Sequence, residues 1–359
     1  MNQALMLSNK VKKRYKHLSK RYAKQNLDIF RLYDCDIPEI RAVVDWYAGH
    51  LVVAEYVRKN SDPLWLPIMA EATAQSLNVE MKNVHIKQRH AGYQDGNRYE
   101  KIAHTDKKIV MSERDLKFYI NLDDYVDTGL FSDHRNTRLM VREMAQGKDF
   151  LNLYCYTGSF SCYAAKGGAR TTVSVDRSET AIQWAKDNME LNDIPIRGSL
   201  EDIENFMISD NVERSNQRNI FIKANTFDFL EKAKRKGQMF DIAVVDPPSF
   251  SSSKGLKHHF DIAQDHPTLL KAVMDVMRKD SGSVIFFSTN HQDFKLHIDK
   301  IMDLDTGKQM DIDKKAEDYS IENGKITAIK DIIEITSTTI PEDYKTTKKH
   351  IHRCWKIIF

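Results

Sequence analysis

Cysteine is scarce in this 359-residue chain: Cys35, Cys155, Cys162 and Cys354 are scattered, and no two form a C-x-x-C pair. That argues against a disulfide framework and suits a reducing compartment. Long apolar runs are missing too. None approaches the roughly 20 residues that a bilayer-spanning helix needs, and the basic, polar start has no apolar signal-peptide segment. The expectation is a cytoplasmic protein without a membrane partner. A surplus of charge of one sign is also lacking: 54 Lys and Arg stand against 51 Asp and Glu, a formal net charge of +3. The chain as a whole therefore does not announce a polyanion partner.

The charge that is present is unevenly placed. Lys10, Lys12, Lys13, Arg14, Lys16, Lys20, Arg21 and Lys24 crowd one stretch, with Tyr15 and Tyr22 among them. Lys345, Lys348, Lys349 and Arg353 form a second basic group, while acids gather between Asp299 and Glu322. Val11, Tyr15, Leu18 and Tyr22 recur at spacings of three and four, which predicts a basic amphipathic helix over residues 8–26. Such a helix either packs its stripe on the next domain with its charges solvated, or touches nucleic acid.

The rest divides into three parts. Residues 29–121 read as a small α+β domain, with strands at Ile29–Tyr33, Ala42–Trp46, Leu51–Tyr56, Asn83–Gln88, Lys108–Ser112 and Lys117–Asn121 and a helix at Asp62–Ser76. Gly92 to Gly96 reads as a turn. Residues 122–148 are a connector whose helix runs to Met144, with Gly147 at its end. Residues 149–359 alternate strands (Phe150–Tyr154, Thr171–Asp176, Ile220–Ala224, Ile242–Asp246, Ser283–Ser288) with helices such as Ser178–Leu191 and His266–Arg278. That rhythm predicts an α/β fold with a doubly wound, mostly parallel sheet. Asp331–Thr338 and Ile351–Phe359 read as two further strands, and residues 198–219 and 303–330 as polar insertions.

Asp246-Pro247-Pro248-Ser249-Phe250 ends the apolar run that begins at Phe240. Two prolines cannot continue a ladder, so an acid, two prolines and an aromatic are left at a strand's carboxyl end, where open α/β sheets hold ligands. A carboxylate and carbonyls accept from a flat base, prolines stiffen the loop, and the ring offers a stacking face. Upstream, Phe150 to Tyr154 runs into Cys155-Tyr156-Thr157-Gly158-Ser159-Phe160-Ser161, a strand, a small-residue turn and a helix start. Helix N-termini offer free N–H groups. Thr157, Phe160 and Ser161 stand where a G-x-G-x-x-G site would want glycine, and no G-x-x-x-x-G-K-[ST] occurs, so dinucleotide and ATP chemistry are disfavoured against an adenosyl group. Asp176 ends the next strand about 20 residues on, where an acid receives ribose hydroxyls. Asn225 ends the third, either facing an adenine edge or capping the helix that follows.

These features in this order are similar to class I S-adenosylmethionine-dependent methyltransferases, with their Rossmann-like sheet. The segments Tyr125 to Arg135, Lys148 to Leu153 with Tyr156 to Ser159, Asp246 to Ser251 with Ser253-Lys254, and Ile351 to Trp355 resemble the large-subunit rRNA methyltransferase K family, a guanine-N7 module often fused to a guanine-N2 methyltransferase. The resemblance also takes in Arg31 to Asp34 and Asp36 to Pro38, and covers nearly the whole chain outside the insertions. It implies that Asn152, Tyr156, Thr157 and Gly158 line the methionine side of S-adenosylmethionine, that Asp176 holds its ribose, and that Asn225 faces its adenine. Phe131, Asp133 and Arg135 would close over the cofactor, and Asp246, Pro247, Pro248 and Phe250 would face the guanine. The implied partner is 23S rRNA or an assembling large subunit.

Guanine N7 carries an in-plane lone pair and has no proton to remove, so placement and exclusion of water suffice for transfer. Asp246 is the candidate for stabilising the cationic product or accepting the guanine N1 and N2 protons. The rival reactions are methylation at cytosine C5, which needs a cysteine thiolate, and at adenine N6; a non-catalytic RNA-binding or assembly factor is a further alternative. The segment Ile285 to His291, where cytosine-C5 relatives place that cysteine, has none. His350, His352 and Cys354 alternate but lack a fourth ligand at zinc spacing, so no metal is expected.

Overall fold

The computed structural model describes residues 2–57, 61–90, 101–197, 217–251, 260–279, 282–291, 293–301, 329–345 and 349–359. The turn at Gly92 to Gly96, most of both insertions, and Ser253, Lys254 and Lys348 lie outside them.

Helix α1 (Gln3–Lys24) begins five residues before the expected start. The Asn2 side chain caps it by accepting from the Ala4 N–H, and Ala4 and Leu7 extend the buried stripe of Val11, Leu18 and Tyr22. That stripe packs with α2 (Trp65–Leu77) on a four-stranded sheet made of β1 (Ile29–Asp34), β2 (Ala42–Tyr47), β3 (His50–Val57) and β4 (Val84–His90). The hairpin β5 (Ile109–Glu113) and β6 (Leu116–Ile120) joins this unit to the rest. Its Leu116, Phe118 and Ile120 share a core with Ile29 and Tyr47 on one side and Tyr163 and Met189 on the other.

Helix α3 (Arg135–Met144) follows a single 3-10 turn at Ser132–His134. Then come β7 (Asp149–Leu153), α4 (Ser159–Lys166), β8 (Thr171–Asp176), α5 (Glu179–Leu191), β9 (Arg218–Lys223), α6 (Thr226–Arg235), β10 (Ile242–Val245), β11 (Phe250–Ser251), β12 (Phe260–Asp261), α7 (Ile262–Met274), β13 (Val284–Thr289), β14 (Asp331–Glu334) and β15 (Arg353–Ile358). The large sheet has the order β14-β15-β13-β10-β7-β8-β9. Strands β13, β10, β7, β8 and β9 are parallel; β15 runs antiparallel beside β13, and the edge strand β14 runs antiparallel to β15. From β7 the chain winds outward through β8 to β9, then returns to β10 on the other side. The switch point lies between β7 and β10, so the loops leaving their carboxyl ends flank the crevice where such sheets bind ligands. Facing pairs Asn152–Val244 and Leu153–Val245 set those two loops side by side.

Two sequence-based boundaries are corrected. The strand expected over Asp331–Thr338 stops at Glu334, and Thr336–Thr339 turn into a short helix. The Thr338 and Thr339 hydroxyls donate back to the Ile335 and Thr336 carbonyls, a local alternative to the ladder. Helix α7 spans Ile262–Met274 rather than His266–Arg278: Asp261 caps its start by accepting from the Ala263 N–H, and Pro267 falls inside the helix.

Candidate active site

The loop leaving β7 is held in an uncommon backbone. Tyr154, Tyr156 and Gly158 have φ of 56°, 49° and 73°, and two of them pay the left-handed penalty of a side chain. Gly158 must be glycine for a second reason: a Cβ there would stand 2.7 Å from Ala185 Cβ and 3.2 Å from Ala185 Cα on α5. Thr157 Oγ1 donates to the Gly129 carbonyl at 2.6 Å, and Asn188 Nδ2 donates to the Thr157 carbonyl at 2.9 Å. The loop is thus strained and pinned from two sides, the Gly129 segment and α5, as a pre-formed cradle requires.

Asp176 fastens the same loop. One carboxylate oxygen accepts from the Tyr156 N–H at 3.0 Å and the other from the Ser178 N–H at 2.9 Å. Burial nevertheless raises its pKa above the ordinary aspartate value. A carboxylate offers about four acceptor positions, so it retains capacity for ribose hydroxyls. Ser178, not Asp176, is the N-cap of α5.

The other expected cofactor residues divide. Phe131 and Tyr156 are half-buried, with ring centroids 5.3 Å apart, and form an aromatic wall beside the loop. Asn152 is fully buried with its amide on Ser161 Oγ at 2.8 Å, so it underpins the loop from below. Asn225 is the N-cap of α6, its side-chain oxygen accepting from the Phe227 N–H at 2.9 Å. A second lone pair and the amide N–H groups remain for an adenine edge.

Arg135 does not close over the cleft. Its guanidinium reaches the Asp343 carboxylate through two nitrogens at 3.2 and 3.0 Å, and donates to the Ser132 and Ile29 carbonyls. With side-chain exposures of 2% and 0%, Arg135 and Asp343 are a buried clasp between α3, β1 and the C-terminal segment.

Asp246 leaves β10 with its carboxylate 27% exposed. Ser288 Oγ donates to it at 2.6 Å from β13. On the other oxygen, His134 Nε2 stands 3.7 Å away, and 3.6 Å from Asp133. Asp133 accepts from His352 Nδ1 at 2.9 Å, and His352 Nε2 meets Thr339 Oγ1 at 3.0 Å. Burial alone would raise the Asp133 pKa, but His134, His352 and Arg31 outweigh it and hold the acid below its usual range. His134 and Ser288 were not among the expected site residues. His134 sits inside the Tyr125–Arg135 segment, but nothing in sequence spacing reveals that it faces Asp246.

Asp133, His134 and His352 present donor atoms within 4.8 Å of one another. The two rings stack at 4.1 Å with 13° between their planes, so their in-plane lone pairs run side by side and do not converge. Both His352 nitrogens already have partners. The trio backs Asp246 by packing, with His134 Nε2 3.7 Å from its carboxylate and His352 holding Asp133 by a hydrogen bond.

Beyond Asp246, Pro247 is buried, Pro248 half-buried and Phe250 exposed at the cleft's edge. Ser249 Oγ donates to Asn290 Oδ1, which ties the proline loop to the end of β13. The arrangement joins a cradle with an acidic acceptor to a stiff, acid-bearing, aromatic-tipped loop.

A family model described as S-adenosylmethionine-dependent methyltransferase matches residues 35–292. The chain is 35% identical to the ribosomal RNA large subunit methyltransferase K of Neisseria meningitidis, over 98% of this chain and 86% of that protein. It is also 35% identical to the ribosomal RNA large subunit methyltransferase K/L of Vibrio parahaemolyticus, over 98% of this chain but only 43% of that one. Among solved structures, a protein described as a methyltransferase and crystallised with SAH superposes with a TM-score of 0.70 at 19% identity, over 100% of this chain and 82% of its own. A SAM-dependent methyltransferase structure from Streptococcus mutans gives 0.69 at 18% identity, with the same two coverages. At those identities the two structures speak for the fold.

Proposed function

The chain belongs to the S-adenosylmethionine-dependent methyltransferases, in the ribosomal RNA large subunit methyltransferase K family, and from that premise we propose that it methylates N7 of a guanine in 23S rRNA, free or in an assembling large subunit. S-adenosylmethionine supplies an electrophilic sulfonium methyl. The Tyr154–Gly158 loop fits its aminoacyl part, Asp176 its ribose and Asn225 its adenine edge, with Phe131 closing over it beside Tyr156. The proline loop holds the base, and Phe250 offers the ring on which an unstacked base lies. Asp246, oriented by Ser288, stabilises the positive charge that appears on the methylated ring. With such an RNA as substrate, the compartment we propose is the cytoplasm.

The observation that carries N7 over cytosine C5 is the state of the thiols. Burial pushes the Cys155 and Cys354 thiols well above their usual pKa and Cys162 up to about 12. None is a ready thiolate, and Ser288-Thr289-Asn290-His291 closes β13 without cysteine. A lone pair that attacks directly needs none. The experiment is calorimetry with S-adenosylmethionine followed by transfer of labelled methyl to purified 23S and 16S rRNA. Binding with label confined to 23S rRNA is expected. Binding without label on 23S rRNA would overturn the reading.

His134 gives this site a pH dependence. Burial and the adjoining His352 ring lower its pKa, against the pull of Asp246 and Asp133, with Arg138 also facing it. The imidazole is therefore neutral at neutral pH. Acid that protonates it places a cation 3.7 Å from Asp246 and offsets the negative field the product needs. The transfer rate is expected to fall as pH drops below the ordinary imidazole value of about 6.5. His134→Asn should remove that acid limb and keep the rate at higher pH within roughly tenfold of wild type. A kcat–pH profile with the same limb in the variant removes His134 from the site.

A further inference from the structure

We propose that the groove between α1 and the β1–β2 edge is a second, separate RNA site, which stacks one base of a single strand on the Tyr15–Trp46 pair while lysines of α1 hold the flanking phosphates. The groove encloses about 300 Å³ and is lined by Tyr15, Ser19, Lys20, Asp28, Phe30 and Trp46. Tyr15 and Trp46 lie with ring centroids 4.6 Å apart and 6.3 Å from Phe30. Phe30 is buried and forms the floor, whereas Tyr15 and Trp46 are half-exposed walls.

Two polar groups in that groove are left for a ligand. Among the described residues, neither the Tyr15 hydroxyl nor the Trp46 indole N–H has a hydrogen-bond partner. Other such groups are partnered, Trp65 donating to Gln3, Trp184 to the Tyr119 carbonyl and Tyr22 to Asp343, whereas the Trp355 indole N–H, which is without a partner among the described residues, lies in a buried side chain and not at a groove. An amphipathic ring pair with free donors at its rim suits a nucleobase, whose faces stack and whose edges accept.

The charges point the same way. Lys12, Lys16 and Lys20 are exposed and recur every four residues, which puts them about 6 Å apart along the helix beside Tyr15, Ser19 and Ala23. Among the described residues none of the three pairs with an acid. Other cations on α1 are paired, Lys10 with Asp36 at 3.2 Å and His17 and Arg21 with Glu342 at 3.2 and 2.6 Å, while Lys13 and Lys24 are not among the described residues' ion pairs either. A merely solvated face has no need of an aromatic groove at its edge. Paired bases in a duplex hide their faces, so the occupant is single-stranded. The groove is also fixed relative to the catalytic cleft. Tyr22 of α1 donates to Asp343 at 2.9 Å, Asp343 clasps Arg135, and Arg135 adjoins His134 opposite Asp246.

The inference rests on rRNA being the substrate. Its test uses the full chain, 23S rRNA and two variants, Lys16→Gln/Lys20→Gln and Trp46→Leu. Both are expected to raise KM for 23S rRNA by roughly tenfold or more, with kcat and S-adenosylmethionine affinity unchanged. The double lysine variant should also reduce the slope of log KM against log salt by about 1.4. The lysine pair is exposed and makes no ion pair among the described residues, so this arm stands even if Trp46→Leu destabilises the sheet. Unchanged KM and salt slope in the lysine variant, beside an active wild type, overturn the second site alone. A wild type that methylates no RNA overturns the proposed function as well.

Discussion

Asp246→Ala is expected to lower kcat for methyl transfer by roughly 10²–10³-fold, the usual cost of removing one pre-organised charge-stabilising group. Affinity for S-adenosylmethionine should change far less. The carboxylate is fixed before substrate arrives. Ser288 holds one oxygen at 2.6 Å, and the Asp133–His134–His352 stack backs the other. It is partly exposed in a loop that Pro247 and Pro248 stiffen, so it meets the base without reorganising. Asp246→Asn keeps the acceptor and loses the charge. A rate for Asn close to that of Ala identifies charge stabilisation as the role, and a rate close to wild type identifies base positioning. Label-transfer kinetics at saturating S-adenosylmethionine read the difference. Undiminished transfer by Asp246→Ala removes the residue from the chemistry.

Arg135→Ala is expected to destabilise the folded chain by about 3–5 kcal/mol, because it leaves the Asp343 carboxylate buried without its counter-charge. The same guanidinium lies over the Tyr22 and Tyr344 rings at 5.4 and 5.7 Å and donates to the Ile29 and Ser132 carbonyls, so three parts of the chain loosen together. Urea unfolding measures the loss. Asp343→Ala added to Arg135→Ala should recover part of it, since no lone buried charge then remains. Variant that still folds at low temperature should bind S-adenosylmethionine as wild type does. Wild-type stability with lost cofactor affinity would instead return Arg135 to the cleft.

The fold was legible where one physical cause dominates. Strands β7, β8 and β10 are buried throughout, yet only β10, Ile242-Ala243-Val244-Val245, reads as an unbroken apolar run, while β8 sets Val173 and Val175 among small polar residues. The proline pair, the glycine turn and Asp176 could be placed because each marks a strand end. Side-chain destinations were less legible. Asn152 and Arg135 have the right types at the right positions, yet Ser161 on the following helix and Asp343, remote in sequence, claim them. Asn225 carries the double signal of a cap and a base-facing amide, and the cap is occupied. His134 reaches Asp246 only because a 3-10 turn sets it against the end of β10 and the His352 ring. Gly158 was readable as permitting close approach, but its contact with Ala185 belongs to the packing of α5.

The most direct measurement of the central claim is the identity of the methylated nucleoside. 23S rRNA lacking the modification is incubated with the protein and S-adenosylmethionine, digested to nucleosides and analysed by mass spectrometry. The cradle after β7, the Asp246–Phe250 loop and the absence of cysteine from the loop closing β13 predict 7-methylguanosine as the product. 5-Methylcytidine or N6-methyladenosine in its place would contradict the account.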